Sequence, residues 1–149
     1  MSVELRAATE ADRSRCYELL AELGAATGSA HKPLENNVSD LLLDQKRGRI
    51  IVAEEDGVLL GMASVSYNLA LRYATEYCQL EELIVSPSAR GKNVGGLLVQ
   101  RTIDDAKERG CVDYGLYLLE STEHNRPFYA KYGFEAIGSE MRQRLDVTD

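Results

Sequence analysis

The chain has 149 residues, of which 44% are hydrophobic and 28% are charged, and its formal net charge at pH 7 is -7. This composition excludes a disordered chain, and the length predicts one folded domain over residues 1–149. The acidic balance argues against nonspecific nucleic-acid binding and weakly favours a cationic substrate. No apolar run approaches the about 20 residues of a membrane span, and no signal-peptide segment opens the chain. We therefore predict a cytoplasmic protein with neither a membrane nor a nucleic acid as partner.

Cysteine and histidine are too few and too scattered to suggest metal binding. Cys16, Cys78 and Cys111 show neither metal-ligand spacing nor a disulfide framework, which indicates a reducing compartment. We interpret these thiols as buried structural groups rather than nucleophiles. His31 and His124 are the only histidines, so a histidine-rich metal site is excluded and a Ser-His-Asp triad has little support. The sequence predicts no metal.

Hydrophobic periodicity and turn residues predict secondary structure along almost the whole chain. In chain order the predicted elements are a strand at 3–7, a helix at 10–23, a loop at 24–33, a helix at 34–45, strands at 50–53, 58–67 and 75–85, a helix at 94–109, a strand at 111–119, a helix at 127–132 and a strand at 134–145. The loop is either a plain connector or a substrate lid. The order β-α-α-β-β-β-α-β-α-β predicts an α/β fold, a mixed twisted sheet with helices on both faces.

The most informative segment, residues 85–98, leads from an apolar strand through Pro87 into a glycine-bearing loop and directly into a helix. A helix N-terminus presents unpaired backbone N–H groups and a positive dipole end, and small residues let an anion approach them. Arg90 and Lys92 add positive charge there. The loop fits neither the Walker pattern nor the dinucleotide pattern. An ordinary junction with a solvated basic pair explains these residues equally well.

Two acidic residues, Glu81 and Glu82, interrupt the apolar strand that leads into this loop. Because side chains alternate along a strand, we expect Glu81 to share a face with Leu83 and Val85, and Glu82 to point to the other face. This expectation excludes a facing carboxylate pair of the glycosidase kind. Desolvation among apolar residues suits a carboxylate to act as a general base. The alternative is a strand edge at which one acid is merely solvated.

An aromatic segment, residues 124–134, forms a second cluster of interest. Asn125 is placed to cap a short helix, and Gly133 is placed to end it in a left-handed conformation. Phe128 is four residues before Tyr132, a spacing that indicates core packing. Tyr129 lies off that stripe and is freer to present its hydroxyl group. Taken alone, such a cluster is more often core than catalytic.

Together these segments resemble the GNAT superfamily of acyl-coenzyme A-dependent N-acetyltransferases. Its cofactor motif, [RQ]-x-x-G-x-[GA] after a strand ending in V-x-P, corresponds to the stretch from Arg90 to Gly95 after Val85-Ser86-Pro87. Its second motif, F-Y-x-K-x-G-F, is complete at residues 128–134. The element order matches over nearly the whole chain. The resemblance therefore implies a largely antiparallel sheet whose two central strands splay apart, with acetyl-CoA as the cosubstrate.

The resemblance also implies roles for individual residues. Tyr129 matches the tyrosine that protonates the departing thiolate, and Glu81 matches an acid that serves as the base, often through water. The main chain of Leu83, Ile84 and Val85 is expected to bond the pantetheine arm. The residues expected at the pyrophosphate are Arg90, Gly91, Lys92, Asn93, Val94, Gly95 and Gly96.

Two positions depart from the family pattern. Asn93 replaces the usual middle glycine of the loop, and asparagine tolerates left-handed backbone better than most residues. Many members place an asparagine seven residues before the tyrosine, where this chain has Thr122. Asn125, four residues before Tyr129, is the candidate for that cofactor contact.

These observations lead to a functional hypothesis with alternatives. We expect direct transfer of acetyl from acetyl-CoA to a primary amine, with a small cationic molecule as the acceptor. One alternative is acetylation of a protein lysine or N-terminus, and another is a noncatalytic acyl-CoA-binding regulatory domain. Dimerisation is common in the family, so the resemblance also leaves a homodimer open.

Overall fold

The structure, a computed structural model, describes residues 2–27, 40 and 42–145, with no side-chain description for residues 24–27. The first helix begins after a capping turn at Glu10–Asp12 and runs to Thr27, so it takes in the first four residues of the predicted loop. The remainder of that loop lies outside the described residues. So does most of the predicted helix 34–45, of which residues 40, 42 and 43 are helical.

The main elements of the described secondary structure are five strands and three helices. The strands are β1 (Glu4–Ala7), β2 (Gly48–Glu55), β3 (Val58–Ala70), β4 (Thr75–Val85) and β5 (Tyr114–Leu116). The helices are α1 (Arg13–Thr27), α2 (Val94–Arg109) and α3 (Arg126–Ala130). Short 3-10 turns are found at Glu10–Asp12, Leu71–Tyr73, Pro87–Ala89 and Glu120–Asn125.

The strands form one sheet in the order β1-β2-β3-β4-β5. The first three neighbouring pairs are antiparallel, and β4 with β5 is parallel. The predicted mixed, largely antiparallel sheet is therefore confirmed. Parallel neighbours require a crossover connection, and α2 lies in the segment that connects β4 to β5.

Helices pack on opposite faces of this sheet. Leu19 of α1 belongs to a buried cluster that includes Met62 of β3 and Ile84 of β4. On the neighbouring residue of β3, an added Cβ at Gly61 would meet Val94 and Leu98 of α2. Because adjacent strand residues point to opposite faces, α1 and α2 cover different sides. The predicted placement of helices on both faces is confirmed, and these sides are called the α1 face and the α2 face below.

The central strands β4 and β5 pair over only three residues each. The register joins Cys78 to Tyr114, Gln79 to Gly115 and Leu80 to Leu116. Beyond Leu80, β4 continues to Val85 paired with β3 alone among the described strands. This pattern is what the predicted splay of the central strands requires, and it leaves backbone groups along one edge of β4 without a partner strand.

Several predicted element ends are confirmed by the local geometry. The Asp12 carboxylate accepts a hydrogen bond from the Thr9 backbone N–H at 2.7 Å, as expected of a capping box. Gly110 ends α2 in a left-handed conformation, with φ 91°, and its N–H is bonded to the last turn of the helix. Gly133 is also left-handed, with φ 93°. Within the described residues, no helix is both long and apolar enough to cross a membrane.

Two strand predictions were wrong in extent. The strand predicted at 111–119 is reduced to Tyr114–Leu116, because its parallel pairing with β4 stops at Leu80. Among the described residues 134–145, none is in a strand, although one was predicted there. Ile137 and Met141 in that segment are 93% and 96% exposed. Strand propensity is realised only where another strand supplies backbone partners.

Contacts divide the chain into two compact units, Met1–Leu116 and Tyr117–Asp149. The first unit contains the whole sheet, α1 and α2, and the second contains α3. Each unit is described by itself below. The assignment of the chain to one domain stays a prediction.

Gly61 lets the start of α2 approach β3 and β4 closely. A Cβ on Gly61 would lie 2.6 Å from the carbonyl oxygen of Ile84 and 3.1 Å from Cγ1 of Val94. The first distance is shorter than real Cβ contacts, and the obstacle is backbone, which cannot rotate away. Gly61 thus sets the separation between the strands and the helix that follows the glycine loop.

We expect Gly61→Ala to lower the free energy of unfolding by about 1–3 kcal/mol, because β3 and β4 must shift to admit the methyl group. Chemical denaturation monitored by circular dichroism measures this loss. Gly138→Ala is the matched control, since a Cβ at Gly138 would meet nothing within 4 Å. Equal stability of the two variants would contradict the close approach at Gly61.

Candidate functional site

A β-bulge at Glu81 is the first feature of the candidate site. The register pairs Ser64 with Glu82 and the next residue, Val65, with Leu80. Glu81 is therefore an extra residue in β4 that has no partner in the β3 ladder. A bulge of this kind interrupts the regular alternation of side chains along a strand.

The bulge places both carboxylates on the same face of the sheet. The Ser64 hydroxyl donates to Glu82 Oε1, and the Ser66 hydroxyl donates to Glu81 Oε2 at 2.6 Å. Ser64 and Ser66 are two residues apart in β3, which is regularly paired with β2 here, so they share a face. That face is the α1 face, because Met62 points the same way. The expectation that Glu81 and Glu82 lie on opposite faces was wrong, since strict alternation fails at a bulge.

The two carboxylates differ in their exposure. Glu81 is exposed, whereas Glu82 is half-buried. The serine bonded to Glu82 is only 2% exposed. Asn68 adds a further contact, because its Nδ2 donates to the Ser66 hydroxyl oxygen at 2.9 Å. Glu81 is thus the carboxylate that is open to solvent, and the Ser66 hydroxyl holds one of its oxygens.

The loop between β4 and α2 has two left-handed residues. Gly91 has φ 83°, a conformation that glycine adopts without strain. Asn93 has φ 54° and ψ 33° and stands immediately before the first residue of α2. The prediction that asparagine can take left-handed backbone at this position is confirmed.

Backbone N–H groups remain available at the start of α2. Among the described residues, no acceptor bonds the amides of Gly91, Asn93, Val94, Gly95 and Gly96, whereas Leu97 N–H reaches the Asn93 carbonyl at 3.0 Å. The first amides of a helix have no partner within the helix itself. Together with the helix dipole, they make this loop suited to an anion.

The two basic residues of the loop are not equivalent. Lys92 Nζ lies 2.6 Å from Glu55 Oε1, so an ion pair already balances its charge. Arg90 is exposed, and its side chain has no ion pair or hydrogen bond among the residues that the structure describes, although its backbone N–H bonds the Pro87 carbonyl at 3.4 Å. The role of both cations at a phosphate stays a prediction, and Lys92 is here bound to Glu55 of β2.

The end of β4 carries the residues predicted to contact the cofactor arm through their main chain. Leu83, Ile84 and Val85 pair on one side with Ala63, Met62 and Gly61, and no described strand pairs with their other side. The Ile84 side chain is 5% exposed and packs in the α1-face core. Only its backbone is therefore available at the strand edge.

In the second unit, Tyr129 lies in α3 within an aromatic cluster. Its ring meets Phe128 at 5.0 Å and Phe134 at 6.0 Å between centroids, both edge to face. Burial raises the pKa of Tyr129 above its ordinary value. A tyrosine in this environment keeps its proton at neutral pH and can act as a proton donor.

Asn125 does not cap α3 as predicted. It precedes the helix but has helical backbone, φ -84° and ψ -4°, and its side chain makes no capping hydrogen bond. The reason is that a 3-10 turn, Glu120–Asn125, already leads into α3. The Thr122 hydroxyl is bonded to the backbone of Leu119, so it serves the start of that turn.

The thiols have no reactive surroundings. Cys16 and Cys78 are buried, and burial raises the pKa of Cys16 to about 11 and that of Cys78 to about 12. The pKa of Cys111 is also raised by burial. Their interpretation as structural groups agrees with these shifts. Over the described residues, no cluster of His, Cys, Asp and Glu could hold a metal ion.

Comparison with known proteins assigns a family to this arrangement. A family model described as "Acetyltransferase (GNAT) family" matches residues 10–134. The chain belongs to the GNAT acetyltransferase family. The resemblance read from the two motifs is thus confirmed, and with it an acetyl-CoA-dependent N-acetyltransferase activity.

Individual relatives of this acetyltransferase support the same conclusion. Glucosamine 6-phosphate N-acetyltransferase of Trypanosoma brucei brucei is 30% identical over 152 residues, covering 99% of this chain and 97% of that protein. Aminoalkylphosphonate N-acetyltransferase of Salmonella typhimurium is 26% identical over 132 residues, covering 89% and 84%. A crystal structure of a Trypanosoma brucei acetyltransferase matches with TM-score 0.79 and 26% identity, covering 97% of this chain and 100% of that chain.

Sequence reasoning missed the β3 side of this acetyltransferase site. Ser64, Ser66 and Asn68 alternate with Val65 and Tyr67. That alternation predicts a polar face in the middle of a strand, and it was the available signal. Which carboxylates the serines reach depends on the bulge, which no sequence pattern here indicated.

We expect Asn93→Val to weaken acetyl-CoA binding several-fold and to lower the free energy of unfolding by about 1–2 kcal/mol, because a β-branched residue is strained in left-handed backbone. Asn93→Gly is the control and should bind like wild type, because glycine adopts this conformation freely. Calorimetric titration with acetyl-CoA measures both affinities. Unchanged affinity in Asn93→Val would show that the Asn93 backbone does not set the amide geometry.

Proposed function

We propose that this acetyltransferase moves the acetyl group of acetyl-CoA directly to the primary amine of a small molecule in a ternary complex. The observation that carries the proposal is the set of groups that β4 and the loop after it present beyond Leu80. The continuous segment 81–96 supplies a solvent-open carboxylate at Glu81, a strand edge with no partner among the described strands, and a loop whose amides have no acceptor among the described residues. A base, a backbone-binding edge and an anion site are what such a transfer requires.

The residues after Leu80 fit the cosubstrate. Free amides at Gly91 and at 93–96 would hold the pyrophosphate, with Arg90 as the neighbouring cation. The main chain of Leu83, Ile84 and Val85 would bond the pantetheine arm, which satisfies backbone groups left by the missing strand partner. Lys92 and Asn125 are weaker candidates, because Lys92 is paired with Glu55 and Asn125 has helical backbone.

Glu81 is the proposed base. An alkyl amine has a reference pKa of about 10.4, so it is mostly protonated at neutral pH and must lose a proton before it attacks the thioester. The exposed Glu81 carboxylate can accept that proton, directly or through water. The attack forms the C–N bond and breaks the C–S bond of the thioester. Tyr129 is proposed to give its proton to the departing thiolate. The attacking nitrogen loses a second proton as the amide forms, and that proton restores the tyrosine.

The acceptor is proposed to be a small amine, with two candidate classes. A cationic amine suits the net charge of -7 and the two carboxylates on the α1 face. An amino sugar phosphate is the second class, because the relative at 30% identity is a glucosamine 6-phosphate N-acetyltransferase. A cytoplasmic location and a homodimer stay predictions.

A panel of acceptors tests this function. We expect saturable release of coenzyme A thiol, with an acetylated product by mass spectrometry, for a diamine, glucosamine 6-phosphate or an aminoalkylphosphonate rather than for a lysine peptide with a free N-terminus. Glu81→Gln should slow the reaction on the order of 10²-fold. Glu108→Gln, on the exposed side of α2, is the control.

Two results would overturn the proposed function. Turnover with the peptide alone would identify a protein acetyltransferase. Acetyl-CoA binding without turnover on any acceptor would instead identify a noncatalytic acyl-CoA-binding domain. A full rate in Glu81→Gln would remove Glu81 as the base.

We expect Tyr129→Phe to lower kcat on the order of 10²-fold, because the thiolate would then leave without its proton donor. Burial raises the pKa of Tyr129, so the protonated form should persist as pH rises, and its contribution should be lost only above the ordinary tyrosine value of about 10. Steady-state rates are measured between about pH 6 and about pH 9.5, below the ordinary tyrosine pKa. Over this range the ratio of the wild-type rate to the Tyr129→Phe rate should not fall as pH rises.

The matched control is Tyr132→Phe, which removes a hydroxyl from the neighbouring ring that packs on Phe128 at 5.4 Å. This variant should keep the wild-type kcat. Equal kcat values for wild type and Tyr129→Phe would exclude Tyr129 as the donor.

A further inference from the structure

Polar residues on β3 form a directed hydrogen-bond chain that ends on Glu81. Asn68 Nδ2 donates to Ser66 Oγ at 2.9 Å, and Ser66 Oγ donates to Glu81 Oε2 at 2.6 Å. Asn68 Nδ2 also lies 3.3 Å from the Ser66 carbonyl oxygen, which holds the amide group over that residue. Because the amide nitrogen can only donate, the Ser66 hydroxyl accepts from it and directs its own proton to the carboxylate.

A second serine makes a parallel contact with a different character. Ser64, two residues earlier in β3, donates to Glu82 Oε1 and is only 2% exposed. Glu82 is half-buried, and Glu81 is exposed. The Ser64–Glu82 pair therefore lies towards the interior, whereas the Ser66–Glu81 pair lies at the solvent side of the same face.

We propose that Ser66, supported by Asn68, is the positioning residue of Glu81 and selects this carboxylate, rather than Glu82, to take the proton of the acceptor amine. The inference rests on the proposed role of Glu81 as the base. Because Glu81 is the bulge residue, no ladder partner fixes its side chain, and the hydroxyl bond supplies that constraint. Oε2 is held by Ser66, and Oε1, which none of the described residues bonds, is left for the amine or its water.

Loss of the Ser66 hydroxyl has a measurable kinetic consequence. Without its bond the Glu81 carboxylate can rotate, because no partner in the β3 ladder fixes its side chain. A base that is no longer oriented towards the amine lowers kcat, whereas the binding of acetyl-CoA does not depend on that orientation.

The experiment measures acetyl-transfer kinetics of the whole chain carrying Ser66→Ala, using an amine that the acceptor panel shows to be turned over. We expect kcat to fall about three- to tenfold, with the KM for acetyl-CoA unchanged.

Conservative variants separate positioning from folding. Ser66→Thr keeps the hydroxyl and should restore kcat to the wild-type value. Asn68→Ala should lower kcat less than Ser66→Ala does, because the bond from Ser66 to Glu81 remains.

A double variant gives the decisive kinetic result. Ser66→Ala combined with Glu81→Gln should be no slower than Glu81→Gln alone, because Ser66 acts through that carboxylate. A wild-type kcat in Ser66→Ala, or a further rate loss in the double variant, would overturn the positioning role while leaving Glu81 as the base. A full rate in Glu81→Gln would instead overturn the proposed base, and with it the catalytic meaning of Ser66.

Discussion

The pairing of β4 with its neighbours is the constraint on which the rest of the site depends. β4 is paired with both β3 and β5 from Cys78 to Leu80, and beyond Leu80 only β3 continues among the described strands. The bulge at Glu81 occurs at this same point. Unpaired strand groups need another polar partner, and a bulge redirects the side chains beside it. Both features therefore bring an unpaired strand edge and two carboxylates together in one short segment.

The position of the loop between β4 and α2 is set by the packing of α2 on the sheet rather than by the residues of the loop itself. α2 begins at Val94, which is 1% exposed and lies against the place where Gly61 has no side chain. Because Gly61 permits this approach, the first turn of α2 is held at the end of β4. The left-handed backbone at Gly91 and Asn93 then leads the chain into α2, whose first amides have no acceptor among the described residues.

Ion pairs within the fold limit what the overall charge can say about the substrate. Asp105 is 7% exposed and is paired with Arg49 at 3.0 Å and Arg101 at 3.1 Å. Lys92 is likewise paired with Glu55. Each of these cations forms an ion pair within the fold, so the neighbouring carboxylate balances its charge locally. The charges relevant to function are those at the site, and the net value of the chain is a weak guide to the acceptor.

The sequence by itself determined the family and most elements of the sheet, because contiguous motifs and local backbone rules suffice for them. The left-handed Asn93 before α2 was predictable in this way. The sequence did not determine that Glu81 and Glu82 share a face or that Lys92 is already paired. Nor did it determine that residues 134–145 lack strand structure. Only the tertiary structure decided these points. Their physical reason is pairing between segments distant in the chain, such as Ser66 with Glu81, which no local pattern contains.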